Sequence, residues 1–331
     1  MDVSTDKVMD WLNCFGKVVL RINSTDFQEF VKNVSISNES STIHFFFRGL
    51  SFTEEDIEAV WFRRHAYTFN QNDSEIDLID GNSSYNLKGT NYEVVSQNLQ
   101  QEFNTVRDYV FYRLQKKTIV LGHWKENHEN KLKVLDLAVK FGLNIPSSKV
   151  ITRVKELNEE FDKSSKLITK SLSYAPGIFL EELKTPISSF TTKLSDFKDK
   201  VKSEHFFWSL VQKEIEKEIE IRVFYLNGNC YSMAIFSQSS KETSTDFRNY
   251  DTNRPNRTVP YQLPEDIEDK LILLMNELQL NTGSIDLLLD KNDNYIFLEI
   301  NPVGQFGMVS MPCNYFLEKR IAEYLSNHAS K

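Results

Sequence analysis

Residues 283–307 read GSIDLLLDKNDNYIFLEINPVGQFG, two apolar runs on either side of the polar segment 291–294. Apolar runs of strand length around a short polar turn predict a β-hairpin. With Asp290 facing Tyr295 across the turn, the antiparallel register sets Asp286 opposite Glu299. The two-residue alternation of strand side chains then puts Asn301 on the face of Glu299. Asp286 is embedded among Ile285, Leu287, Leu288 and Leu289, and Glu299 lies between Leu298 and Ile300. Carboxylates in such company need a partner, whereas a merely solvated hairpin face would not need apolar flanks on both strands. Two carboxylates and an amide oxygen suit Mg²⁺, a hard cation that takes a few protein oxygens and fills its octahedron with phosphate oxygens and water. A nucleotide-phosphate site is therefore expected at this hairpin.

Outward from it, Pro264, Glu265 and Asp266 open a helix with an apolar face of Ile267, Leu271, Leu274, Met275 and Leu278. A last helix is expected over about 314–325. Residues 219–226 and 230–237 alternate like a hairpin with Asn227 and Gly228 at its turn. In EIEIRVF, residues 218–224, Glu220 and Arg222 share one strand face, and Ile219, Ile221 and Val223 the other. Further upstream a helix begins after Asn130, followed by a strand at 149–152, a helix at 154–161, a strand at 167–170 and a helix around 206–210. The first third gives strands at 17–22, 42–47 and 59–63 and a long helix over about 92–114, with Val95, Leu99, Phe103, Val106 and Val110 broadly at helical spacing. This pattern predicts an α/β (α+β) chain of three parts: an N-terminal domain at 1–118, a central one at 119–210 and a C-terminal one at 211–331.

Composition bounds the function. The 331 residues, 40% hydrophobic and 26% charged, suit several packed subdomains around a cleft. A formal charge of -8 without a basic stripe excludes nucleic acid as an expected partner. No segment has the length of a membrane span or the form of a signal peptide, so no membrane partner is expected. Cys14, Cys230 and Cys313 show no CxxC spacing and point to a reducing cytoplasm. No Walker-type GxxxxGK[ST], GxGxxG, GxSxG or HExxH motif occurs, and the six histidines have no ligand spacing.

Asp286, the Glu299-Ile300-Asn301 segment and their hairpin resemble the magnesium-binding end of the ATP-grasp superfamily. NPVGQFG resembles the ATP-grasp maturases of graspetides, the ester- or amide-crosslinked peptides that include microviridins. The closing PVGQFGMVSMPCNYFLEKRIAEYL looks most like the subgroup associated with grasp-with-spasm clusters. The similarity covers nearly the whole chain and implies an ATP-grasp fold whose N-terminal, central and C-terminal domains enclose a nucleotide cleft. It implies ATP and Mg²⁺ as cofactors, with Asp286, Glu299 and Asn301 as metal ligands. Lys170 in LITK and Lys131 in NKLKVLDLAVKFG match nucleotide lysines. VQKEI, residues 211–215, is similar to the linker whose backbone binds adenine, with Gln212, Lys213 and Ile215 at the pocket. Glu220 would bind ribose. Arg222 and Arg248, the latter in TDFRNYD, would stabilise charge during phosphoryl transfer as catalytic residues. VWFRRHAY, residues 60–67, also resembles this family, although a core strand running into a basic turn accounts for it.

The implied reaction is ATP-dependent macrocyclisation. An Asp or Glu side chain of a ribosomally made precursor peptide becomes an acyl phosphate, and a Thr, Ser or Lys side chain of the same peptide captures it as an ω-ester or ω-amide. A leader segment of the precursor would dock on residues 181–202, and the state implied is a homodimer. The loop SLSYAPG, residues 171–177, departs from the superfamily in holding a single glycine. Two other readings remain open: a ligase adding amino acids to a protein or peptide terminus, and a non-catalytic ATP-grasp scaffold that binds peptides.

Overall fold

Asp2 sets the first helix. Its carboxylate accepts the Ser4 amide at 3.2 Å and caps α1 (Val3–Cys14). The computed structural model describes residues 2–23, 26–63, 76–80, 83–87, 90–124, 129–164, 166–173, 178–179, 186–187, 191–196, 203–237 and 256–327. The chain clusters into two units, Met1–Lys125 with Lys319–Lys331, and Glu126–Glu318. The boundaries expected at 118 and 210 fall beside Ile119–Leu121 and inside His205–Lys213, both of which are strands.

In the first unit, α2 (Phe27–Phe30) leads into β1 (Val31–Ile36), β2 (Ser41–Phe47) and β3 (Leu50–Thr53), an antiparallel meander. Then come β4 (Ala59–Trp61), the paired β5 (Ile76–Asp80) and β6 (Ser83–Leu87), the long α3 (Thr90–Lys117), and β7 (Ile119–Leu121), which runs parallel to β4. The core is aromatic: Phe27, Phe30, Phe45, Phe62 and Phe111 pack with Ile43, Val110 and Trp124. Phe30 stacks on Phe45 with ring centroids 4.6 Å apart. The strand expected at 17–22 does not form. This run has no ladder partner among the described residues, and its charges instead anchor it, Lys17 to Glu58 at 2.7 Å and Arg21 to Asp6 at 2.6 Å.

The second unit opens with α4 (Lys131–Lys140), whose cap Asn130 accepts the amides of Leu132 and Lys133 at 3.0 and 3.2 Å. After β8 (Ser148–Arg153), α5 (Val154–Lys163) and β9 (Leu167–Lys170) come the short β10 (Ile178–Phe179), β11 (Pro186–Ile187) and β12 (Thr192–Lys193), and then β13 (His205–Lys213). Strands β12, β9, β13 and β8 form one sheet in that order. The helix expected at 206–210 is thus a strand. Phe206, Phe207, Trp208 and Val211 favour an extended backbone, and β13 finds partners on both edges in β8 and β9.

The remaining strands β14 (Lys217–Leu226), β15 (Asn229–Phe236) and β16 (Arg257–Tyr261) are followed by α6 (Glu265–Glu277), then β17 (Thr282–Asp290) and β18 (Tyr295–Asn301). They build an antiparallel sheet ordered β16-β15-β14-β17-β18. Asn227 and Gly228, with φ of 44° and 88°, make the left-handed pair that a two-residue hairpin turn requires. One face of the sheet presents Ile219, Ile221, Val223, Ile285, Leu287 and Phe297. These pack with Val134, Leu135 and Ala138 of α4 and Leu271, Leu274 and Met275 of α6. The opposite face carries Glu220, Arg222 and Asp286 together with the buried Phe224, Met233 and Ile235, and Phe306 packs on Phe224 with ring centroids 5.5 Å apart. The chain ends in α7 (Gly307–Cys313) and α8 (Leu317–Asn327), two helices where one was expected, because Asn314 takes a left-handed φ of 53° between them. Among the described residues no helix is long and apolar enough to cross a membrane.

Candidate active site

The hairpin β17–β18 pairs Asp286 with Glu299, as the sequence suggested though by another route, and it pairs Ser284 with Asn301. At the turn Leu289, not Asp290, opposes Tyr295, and a bulge between Asp286 and Leu287 restores the expected offset. The extra residue is on β18, so Leu298 and Glu299 both face the side away from the core, where they line a cleft with Asp286 and Leu288. Gly304 holds the start of the following segment against β17. A Cβ there would lie 3.0 Å from the Gly283 carbonyl carbon, and its φ is 56°.

The cleft lies wholly within the second unit and opens to solvent, with a cavity volume of about 80 Å³. Its lining includes Lys170, Gln212, Lys213, Ile215, Glu220, Arg222, Asp286 and Glu299. Lys131 joins them from α4: its ammonium lies 3.4 Å from Glu299 Oε2 and donates to the Ser171 carbonyl at 2.9 Å. Lys170 lies 3.6 Å from the same Glu299 oxygen, and Arg222 Nε is 3.7 Å from Asp286 Oδ1 across the β14–β17 pair. Asn301 stands at the exposed end of β18, where its side-chain oxygen accepts the Val303 amide at 3.1 Å. Arg248 lies outside the described residues, as does most of the span 181–202.

Sequence reasoning missed what holds Glu220. Strict alternation would send Lys217 to the core with Ile219, but a bulge between these two residues turns it onto the cleft face. There its ammonium donates to Glu220 Oε1 at 2.5 Å, and Ser237 donates to the same oxygen at 2.6 Å. Burial pushes the Glu220 carboxyl above its ordinary pKa, and Asp286 adds to that, while Lys217 and Ser237 pull the other way. A raised carboxyl pKa means the folded chain holds this proton more tightly than the unfolded one. The associated stability is therefore present below the ordinary Glu range and is lost as pH rises through the elevated value. Chemical unfolding across that window is expected to show the parent losing stability relative to Glu220→Gln as pH rises. Parallel curves would contradict this.

The donor set of the hairpin fits a hard cation. It offers two carboxylates, Asp286 and Glu299, with the amide oxygen of Asn301 further along the same strand. That is the chemistry of an ion taking two or three protein oxygens and drawing its other ligands from phosphate and water, not of an all-protein cage.

An antiparallel sheet with a two-carboxylate hairpin, covered on its far face by helices and joined to a second, smaller sheet at a polar cleft, defines an ATP-grasp fold. A family model, the RimK-like ATP-grasp domain, matches residues 128–325, and the chain belongs to that family. Among solved structures, a RiPP-associated ATP-grasp ligase of Chryseobacterium gregarium in complex with ADP and a leader and core peptide is similar. Its TM-score is 0.76 at 23% identity, over 98% of this chain and 92% of that one. Macrocyclase MdnC of Microcystis aeruginosa MRC, bound with precursor peptide MdnA, has a TM-score of 0.74 at 25% identity, over 99% of this chain and 97% of that one. The ATP-grasp ligase PsnB, complexed with minimal precursor, Mg and ADP, has a TM-score of 0.67 at 15% identity, over 100% and 96%. No curated protein matches the chain.

Proposed function

We propose that this enzyme is an ATP-dependent peptide macrocyclase. An Asp or Glu side chain of a bound precursor attacks the γ-phosphorus of ATP, the bond to the β-phosphate oxygen breaks, and ADP leaves an acyl phosphate behind. A Thr or Ser hydroxyl, or a Lys amine, of the same peptide then attacks the acyl carbon. Phosphate departs, the nucleophile gives up its proton, and an ω-ester or ω-amide ring closes. The observation that carries this reading is the cross-strand pair Asp286 and Glu299 on the cleft face, with Arg222 beside one carboxylate and Lys131 and Lys170 beside the other.

Within it, residues 211–215 hold adenine, Glu220 holds ribose, and Lys131 and Lys170 hold phosphates. Arg222 offers a permanently charged planar fork to oxygens that gain charge during transfer, with Arg248 assigned the same part by resemblance. Asp286, Glu299 and Asn301 would hold Mg²⁺, which supplies charge neutralisation at the phosphates when bound. The cleft needs no enzyme nucleophile, because the peptide brings both reacting groups. A subdomain split at 118 and 210, a cytoplasmic setting, a leader docked on 181–202 and a homodimer complete the reading.

Mass spectrometry of a precursor encoded beside this gene, incubated with the enzyme, ATP and Mg²⁺, tests it. Each ring is expected to remove one water and to release one ADP. A gain in mass instead would identify an amino-acid-adding ligase. A peptide that binds but never elicits ADP would identify a scaffold.

A further inference from the structure

Gln212 is 1% exposed and stands on the cleft side of β13. Its neighbour Val211 goes the other way, into the core with Ile151, Leu157 and Leu167. Across the sheet Gln212 is paired with Ser148 on one edge and Ile168 on the other, and Ile168 lines the cleft with it. A glutamine amide has two ends of nearly equal shape, an acceptor oxygen and a donor nitrogen, so its partners decide which end faces a ligand.

Here the inner partner is Ser148, whose Oγ lies 2.8 Å from Gln212 Nε2. Ser148 has one hydroxyl proton, and it is committed to the Pro146 carbonyl at 2.7 Å. A carbonyl can only accept, so Ser148 Oγ has only lone pairs left for Gln212 and must meet the NH₂ end. The amide orientation therefore follows from the chemistry of the relay. Gln212 Oε1 is left buried with no hydrogen-bond partner. A buried acceptor in that state is costly unless a ligand supplies a donor.

We propose that Ser148 is a positioning residue for base choice: it fixes the Gln212 amide so that, in the base pocket already assigned to residues 211–215, Oε1 is the end offered to the exocyclic amine of adenine. The inference rests on the nucleotide cleft of the proposed function. Guanine presents a carbonyl oxygen at the corresponding edge, so acceptor would face acceptor. Turning the amide over to suit guanine would set Oε1 against the lone pairs of Ser148 and require its proton to leave Pro146. The relay thus favours ATP over GTP without any contact between Ser148 and the base.

Equilibrium binding of ATP and of GTP, each with Mg²⁺, to the full-length parent, Ser148→Ala and Ser148→Thr tests this. The parent is expected to prefer ATP by about tenfold to a hundredfold, the effect of one buried hydrogen bond lost or opposed. Ser148→Ala frees the amide to turn, so GTP binding tightens and the preference falls toward parity. Ser148→Thr keeps the hydroxyl and restores the preference. Tighter GTP binding is a gain that a partly unfolded variant cannot produce. Should Ser148→Ala leave the ATP-to-GTP ratio unchanged, or the parent bind both equally, the inference fails while the nucleotide cleft stands. Should the parent bind neither, the cleft assignment fails with it.

Discussion

Glu299→Ala is expected to lower precursor-dependent ADP release by about a thousandfold, the upper end of what removing one preorganised charge-stabilising group costs. Glu299 is where the cleft's charges meet. It faces Asp286 across the hairpin and lies within 3.4 and 3.6 Å of the Lys131 and Lys170 ammoniums. Its removal takes away one of two anionic ligands for the cation and leaves both lysines without the carboxylate that sets their positions for phosphate. Glu299→Gln keeps the shape and loses the charge, so a comparable fall is expected from it; near-parental turnover would reduce Glu299 to a packing role. The residue is partly exposed and outside the apolar core, so thermal unfolding is expected to move little, as for substitutions outside the core. Asp286→Ala combined with Glu299→Ala should cost hardly more than either alone, because both serve one ion. Parental ADP release by that double variant would remove the basis for the metal assignment.

The hairpin was legible because its information is local. Two apolar runs, a polar turn and two embedded carboxylates lie within one stretch of chain, and period-two alternation does the rest. Even so the turn register expected from Asp290 and Tyr295 was wrong by one residue, and the pair Asp286 and Glu299 forms only because Leu298 bulges. Bulges insert a residue that alternation cannot foresee, and the same device hid Lys217, whose parity assigns it to the core. Caps were equally local: Asn130 before α4 and the Asn227-Gly228 turn both form where their chemistry places them.

What sequence could not give is pairing between distant strands. The segment 206–210 carries aromatic residues whose spacing suits either state, and only β8 and β9 on its flanks decide for strand. Ser148 escaped notice for the same reason. Its meaning lies in a hydrogen bond to a residue 64 positions away, and nothing in PSSK marks it. The nucleotide lysines were found by resemblance, and geometry adds what a motif lacks, namely that Lys131 and Lys170 come from different elements to one carboxylate oxygen.

Glu54, in the acidic run TEED at residues 53–56, is 1% exposed, and Glu54→Ala is expected to be strongly destabilising. One carboxylate oxygen accepts the Ile43 amide at 2.6 Å, inside the aromatic core, and the other meets the Arg113 guanidinium at 2.5 Å. Arg113 is held in turn by the Ser41 carbonyl at 2.8 Å and the Tyr109 hydroxyl at 3.1 Å, so α3 is fastened to β2 through this pair. Removing one member strands a buried charge and a strand amide together, at a cost of about 3–5 kcal/mol. Glu54→Gln keeps an oxygen for Ile43 and is expected to lose less, since it forfeits the charge but not the backbone acceptor. Urea unfolding, followed by a fluorescence probe in the first unit such as Trp61 or Trp124, reads both variants. A shift for Glu54→Ala below about 1 kcal/mol, the range of exposed ion pairs, would mean that water reaches this carboxylate and that the aromatic core alone joins α3 to the meander.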